Sequence, residues 1–219
     1  MAIPNYLEMV NEVLVRLREP EVTSINDTSY SKLISKFIND TKRQVEDAYE
    51  WNGLTETLTA VTSQDLFSYT LQDSGTRFRI IDVLNDTENV VMKYAPTKTM
   101  NQWFLMNDPQ KGAPIYYNFN GTEGGTGDTL VDFYPIPDGV YNIRINLIKS
   151  QKPLAADADT PKVPAEPIIL GAYARALAER GEDGGMASSE AYQLFKSSLA
   201  DFISIEAGHY PEETIWEAQ

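Results

Sequence analysis

The sequence predicts an α+β protein: a four-helix bundle built from both chain ends, with an inserted antiparallel β region. Three observations carry this expectation. Apolar residues recur at three- and four-residue steps near both termini, which is the helical period. Between Leu54 and Lys152 the chain favours Thr, Val, Ile, Tyr and Phe in short runs broken by Asp, Asn and Gly, which is strand composition. No terminal helix can bury its stripe alone, so packing the two terminal pairs together is the simplest solution. The expected partition is 1–54 and 167–207 for the two bundle halves, 55–152 for the β domain, 153–166 for a linker and 208–219 for a tail.

Residues 4–18 read as the first helix. Pro4 suits a first turn, where its missing N–H costs nothing. Tyr6, Val10, Val13, Leu14 and Leu17 form the stripe, and Pro20 ends it. The second helix is expected from about Thr28 to Trp51, with Asp27 as the N-cap. Its stripe is Tyr30, Leu33, Ile34, Phe37, Ile38, Val45, Ala48 and Tyr49. Lys36, Asp40, Lys42, Arg43, Glu46 and Asp47 fall mostly on the other side. Such a stripe reads as a packing face and not as a ligand box.

Strands are expected near 55–62, 66–71, 77–84, 89–95, 114–119, 129–135 and 140–150, with a short helix at about 98–106 around Met100, Trp103 and Phe104. "NGTEGGTGD" at 120–128 reads as a flexible loop. Residues 132–154, "DFYPIPDGVYNIRINLIKSQKPL", read as a sharply turned hairpin. Pro137-Asp138-Gly139 makes its turn, and Tyr141, Ile143, Ile145 and Leu147 alternate with Asn142, Arg144 and Asn146. At about 3.3 Å per residue such a hairpin is a stiff arm roughly 30 Å long, holding the 120–128 loop away from the bundle.

Residues 151–167 carry four prolines and the carboxylates Asp157, Asp159 and Glu166, and read as a solvated, fairly stiff connector. A third helix follows over about 167–181, its small residues Gly171, Ala172 and Ala176 allowing close approach. "GEDGG" breaks it. A fourth runs from about Ser188 to Ala207, with Tyr192, Phe195, Leu199, Phe202 and Ile203 on one stripe.

Composition narrows the chemistry. The chain has 219 residues, 42% hydrophobic and 23% charged, enough to fold around a core. It lacks cysteine, and His209 is its single histidine. Disulfides and thiolate sites are excluded, and a conventional zinc site is disfavoured. The sequence shows no apolar run of about 18 residues for a membrane span, and its start lacks the basic and apolar regions of a signal peptide.

The net charge is −14. A nucleic-acid clamp needs the opposite balance. The plain reading of the charge is solubility; the sharper one is a surface that DNA passes without sticking.

The Gly-rich loop lacks the Lys-Ser/Thr of a phosphate-binding loop. Asp157 and Asp159 lack the later glycine and glutamate of a calcium loop. No spacing singles out a carboxylate pair. The sequence therefore predicts no catalytic residue, metal or cofactor. Tyr116-Tyr117 and Phe133-Tyr134 could stack sugars or bases, although cross-strand packing is the commoner use. The tail "HYPEETIWEAQ" places Tyr210, Pro211, Ile215 and Trp216 in an acidic terminus, and Trp and Tyr are enriched in protein contacts.

Several stretches taken in order resemble a known family: "NYLEMVNEVLVRLREPEVTSIND" (5–27), "INDTKRQVEDAYEWNGLTETLT" (38–59), "FYPIPDGVYNIRINLIKSQKPL" (133–154) and "PIILGAYARALAERGED" (167–183). The chain resembles the head-to-tail adaptors of short-tailed phages, also called tail tubular protein A. The resemblance implies a structural virion protein, not an enzyme. It implies a dodecameric ring beneath the portal that connects it to the tail nozzle and lines the DNA exit channel. The partners implied are further copies of the chain, the portal protein and the nozzle protein. DNA would pass without specific binding, and no membrane is involved. The implied location is the virion neck, after assembly in the host cytoplasm. Interface residues are expected in the loop, at Asn120, Gly121, Gly124 and Gly125, and in the tail, at Tyr210, Pro211, Ile215 and Trp216. The rival readings are a carbohydrate-binding tail module using Tyr116, Tyr117 and Phe133, and a carboxylate enzyme with two acids facing each other in a cleft.

Overall fold

A computed structural model describes residues 3–181 and 185–209. The chain forms two compact units, one from residues up to Leu54 together with those from Ser150 onward, the other from Thr55–Lys149.

The first unit is helical. Helix α1 (Tyr6–Arg16) opens with a capping box: Asn5 Oδ1 accepts from the Glu8 N–H, and Glu8 Oε2 accepts from the Asn5 N–H, both at 2.8 Å. Helix α2 (Ser29–Ala48) is capped by Thr28, whose hydroxyl accepts from the Ser31 N–H at 2.9 Å. Asp27, the expected cap, instead accepts from the backbone N–H groups of Thr23 (2.8 Å) and Ser24 (2.9 Å). Those bonds hold its carboxyl below the ordinary range, led by the Thr23 hydroxyl. Trp51 folds back on α2 and donates its indole N–H to the Val45 carbonyl at 2.7 Å.

Helix α4 (Ala165–Arg180) buries Ile168, Ile169, Ala172, Ala174 and Ala176 in the same unit as Tyr6, Met9, Val10, Val13 and Leu14 of α1 and Ile34, Ile38 and Val45 of α2. Gly171 permits the close approach. A Cβ there would meet the Thr41 γ-methyl at 2.4 Å. The stretch before α4 is stitched to the helices. Leu154 N–H donates to Asn39 Oδ1 at 2.8 Å, Asn39 Nδ2 returns a bond to the Leu154 carbonyl at 3.0 Å, and Tyr6 N–H donates to the Asp159 carbonyl at 2.7 Å.

Helix α5 (Met186–Ala207) packs on α4 but buries only Ala191 and Phe195. Its other apolar residues are spread around the helix, and Tyr192, Leu194 and Ile205 are exposed. The expected four-helix bundle is therefore not the fold, although the mixed α+β content holds. Among the described residues five α-helices and two four-stranded sheets are present. One helix, α3 (Thr97–Phe104), belongs to the β unit. The expected stripe on α5 fails because only one of its residues, Phe195, reaches the interior.

The second unit stacks two sheets. The first has the order β1-β8-β3-β4, from β1 (Thr55–Val61), β8 (Asn142–Lys149), β3 (Phe78–Asn85) and β4 (Val90–Val91). The second has the order β2-β7-β6-β5, from β2 (Ser68–Leu71), β7 (Thr129–Tyr134), β6 (Tyr116–Thr122) and β5 (Lys93–Tyr94). Ala60, Val83, Ile143, Ile145 and Leu147 of one sheet and Leu71, Val131 and Phe133 of the other form a single core with Met92. Strand β8 keeps the predicted alternation, with Ile143, Ile145 and Leu147 buried.

The expected strand 89–95 divides at Met92, with β4 pairing in one sheet and β5 in the other. The expected 132–154 hairpin does not form. β7 pairs with β2 and β6, whereas β8 pairs with β1 and β3. Two prolines in the connection, Pro135 and Pro137, lack the N–H groups a ladder needs. The connection is bound on both sides by loops: Ile136 N–H donates to the Gln110 carbonyl at 3.0 Å, and Asp65 N–H donates to the Pro137 carbonyl at 2.9 Å.

Candidate interaction surfaces

Helix α3 covers the outer face of the second sheet. Met100 is fully buried with Ala95 and Tyr134, and Trp103 stacks on Tyr134 with ring centres 4.7 Å apart. The helix ends at Phe104 within the run Trp103-Phe104-Leu105-Met106, four consecutive apolar residues that one face cannot hide. Leu105 is 83% exposed and Met106 52%. Phe104 packs on Phe67 at 4.3 Å between ring centres, and Phe67 and its neighbour Leu66 are themselves exposed. The Phe67–Phe104 contact thus sets exposed Leu66 and Phe67 against the end of α3, where Leu105 and Met106 are exposed, so these side chains are not scattered singly. The unbroken "WFLM" run was the available signal for it.

The loop expected at 120–128 is shorter in the structure. Asn120 and Gly121 lie on β6, beside a register shift between Phe119 and Thr122. Gly121 has φ 92°, a conformation favouring glycine. Gly124 and Gly125 are exposed in the turn, which Glu123 and Asp128 close through a 2.8 Å backbone bond. Asp128 also accepts from the Gly75 N–H at 3.0 Å, which lowers its carboxyl pKa. Asn120 and Gly121 are thus brought near Gly124 and Gly125 at one end of the sheet. Tyr210, Pro211, Ile215 and Trp216 lie outside the described residues.

Tyr116, Tyr117 and Phe133 do not share an exposed platform. Phe133 is wholly buried between the sheets and Tyr117 packs against the same core. Tyr116 lies on the opposite face, 4.9 Å from the Trp103 ring.

Two carboxylates, Glu46 and Asp132, are buried, one in each unit. Glu46 stands 2.7 Å from the Lys42 ammonium in the helical unit. Asp132 lies on β7 in the β unit, where burial raises its pKa against the opposing effect of Ser68 and Asn120. Among the described residues no cluster of three or more His, Asp or Glu side chains could hold a metal ion.

The helical unit also carries a groove of about 730 Å³ between the start of α1, the start of α4 and the end of α5. Its lining includes the buried Trp51, Val163 and Ile169, which make its floor, and the more exposed Ile3 and Phe202. Sequence reasoning missed it, because its residues are scattered from Ile3 to Glu206.

A chain that leaves apolar side chains uncovered on both units has the make-up of an assembly component. The chain belongs to the SU10 adaptor protein family, whose family model matches residues 4–212. It is a structural phage adaptor of the virion neck, in a family of structural proteins and not of enzymes, and it interacts with other neck proteins. The resemblance read from the sequence holds. No curated protein matches the sequence. Among the described residues no helix is long and apolar enough to cross a membrane.

Proposed function

We infer that the chain is the repeating subunit of a dodecameric adaptor ring that joins the portal to the tail nozzle and lines the DNA exit channel, after assembly in the host cytoplasm. The observation that carries this reading is the apolar patch at Leu66, Phe67, Phe104, Leu105 and Met106, on a chain belonging to an adaptor family. Covering such a patch against a neighbour removes apolar area from water at about 25 cal/mol per Å². The net charge of −14 supports a channel wall that repels phosphates and lets DNA slide without specific binding. Interface contacts in this reading also come from Asn120, Gly121, Gly124 and Gly125 and from Tyr210, Pro211, Ile215 and Trp216.

The test mixes purified chain with portal rings and follows sedimentation, with negative-stain micrographs for ring symmetry. The wild-type chain should co-sediment as a ring. Leu105→Asp should leave the circular dichroism and melting unchanged while abolishing ring formation, because Leu105 is mostly in solvent already. A wild-type chain that stayed unbound would overturn the reading.

A further inference from the structure

The groove of the helical unit plays no part in the ring reading, and its chemistry chooses among occupants. Trp51, Val163 and Ile169 pave it with apolar surface, while Ile3 is 62% exposed at its wall. Its volume of about 730 Å³ is within the range of sites that bind compact apolar groups. The rim is acidic: among the described lining residues Glu8, Glu12, Glu166 and Glu206 outnumber Arg16 and Lys162, and Glu206 also stands 3.4 Å from the His209 imidazole. Arg16 is already paired with Glu12 at 3.1 Å. Glu8 and Glu206 accept from the neutral backbone N–H groups of Asn5 and Asn52, at 2.8 and 2.7 Å. Such bonds orient a carboxylate without cancelling its charge.

The rim separates the three candidate occupants. The residues that follow His209, itself three positions beyond Glu206, carry Glu212, Glu213 and Glu217 and no Lys or Arg. They would bring negative charge to a negative rim. A second copy would bring its own −14. A cationic partner is attracted both by the rim and by the net charge of the chain. We propose that the groove docks a cationic apolar segment of a different polypeptide, its bulky apolar residues on the Trp51–Val163–Ile169 floor and its Lys or Arg residues against Glu8, Glu166 and Glu206. Docking here does not require ring formation, so either can fail without the other.

The experiment uses the full chain and four labelled synthetic peptides, read by fluorescence anisotropy at physiological salt. One peptide alternates Leu and Lys. The second replaces Leu by Ser, the third replaces Lys by Glu, and the fourth is residues 209–219 of this chain. The Leu–Lys peptide should bind more than about tenfold tighter than the Ser–Lys peptide, since burying even one leucine is worth that much. The other two should not bind. Glu166→Lys, at an exposed rim position, should weaken the Leu–Lys peptide severalfold. Glu123→Lys, the same charge change in the β unit, should leave it unaltered. Phe202→Asp should also weaken it, with melting curves to show that this variant is folded. Equal binding of the Leu–Lys and Ser–Lys peptides, equal effects of the two charge reversals, or tighter binding by the 209–219 peptide would each overturn the proposal.

Discussion

The Lys42 ammonium stands 2.7 Å from a carboxylate oxygen of Glu46, one turn further along α2, and both side chains are only 2% exposed. The same nitrogen donates to the carbonyls of Gln151 at 2.9 Å and Lys152 at 3.3 Å. A lysine assigned from sequence to the polar side of a helix thus anchors the chain that leads toward α4.

Lys42→Met should therefore be costly. It strips the buried Glu46 of the cation beside it and leaves two carbonyls without their donor. Breaking one side of a buried pair costs about 3–5 kcal/mol. The double variant Lys42→Met/Glu46→Leu should recover most of that loss, because an apolar pair of similar volume avoids the buried charge. Urea unfolding followed by circular dichroism measures both. A double variant no more stable than Lys42→Met would refute this account.

The contact between Gly171 and Thr41 makes a second prediction. Alanine is ordinarily the better helix former, by about 1 kcal/mol. At Gly171 the added Cβ would stand 2.4 Å from the Thr41 γ-methyl and 3.1 Å from the Phe195 ring. Overpacking of this kind costs about 1–3 kcal/mol, so Gly171→Ala should destabilise despite its propensity. Thr41→Ser removes the methyl and keeps the hydroxyl that donates to the Phe37 carbonyl at 2.8 Å. Combined, the two changes should cost less than the sum of the single ones, a coupling visible in a double-mutant cycle. Strict additivity would show that the clash is not what opposes the alanine.

Asp132 sets a pH dependence. It is 3% exposed, and among the described residues its Oδ1 has no hydrogen-bonding partner. Desolvation raises its pKa above the ordinary carboxyl value, although Ser68 and Asn120 pull it down. The folded state therefore holds this proton more tightly than the unfolded state. The stability it contributes is full below the ordinary carboxyl pKa and is lost as pH rises through the raised value. Asp132→Asn removes this loss. The stability of the variant minus that of the wild type should grow from about pH 4 upward. Carboxyls with lowered pKa, such as Asp128, act in the opposite sense but cancel in that difference. Parallel curves for the two proteins across this range would dismiss the assignment.

Much of the local structure was legible. The stripe of α1, the Ile34, Ile38 and Val45 positions of α2, the short α3, the close approach at Gly171 and the inward residues of β8 follow from period and residue size, whereas Ala48 of the α2 stripe is exposed and Lys42 and Glu46 from its other side are buried. So did the family resemblance, which rests on segment order. The candidate surfaces were less legible. The turn at 120–128 was found, but the Leu105–Met106 patch was passed over as part of a short helix, and the groove left no local trace.

What the sequence determined by itself is therefore the inventory: which segments are helical or extended, which side of α1 and β8 is apolar, and which cysteine-based chemistries are absent. What only the tertiary structure decided is the pairing. An alternating strand reads the same whether its neighbour in sequence or a strand far away lies beside it, so β7 and β8 looked like one hairpin while belonging to different sheets. Helical spacing likewise does not say how many partners a stripe will find, and α5 found chiefly α4. Hydrophobic period is a property of a few neighbouring residues, whereas register and coverage depend on side chains tens to hundreds of positions apart, and the groove from Ile3 to Glu206 exists only once those are brought together.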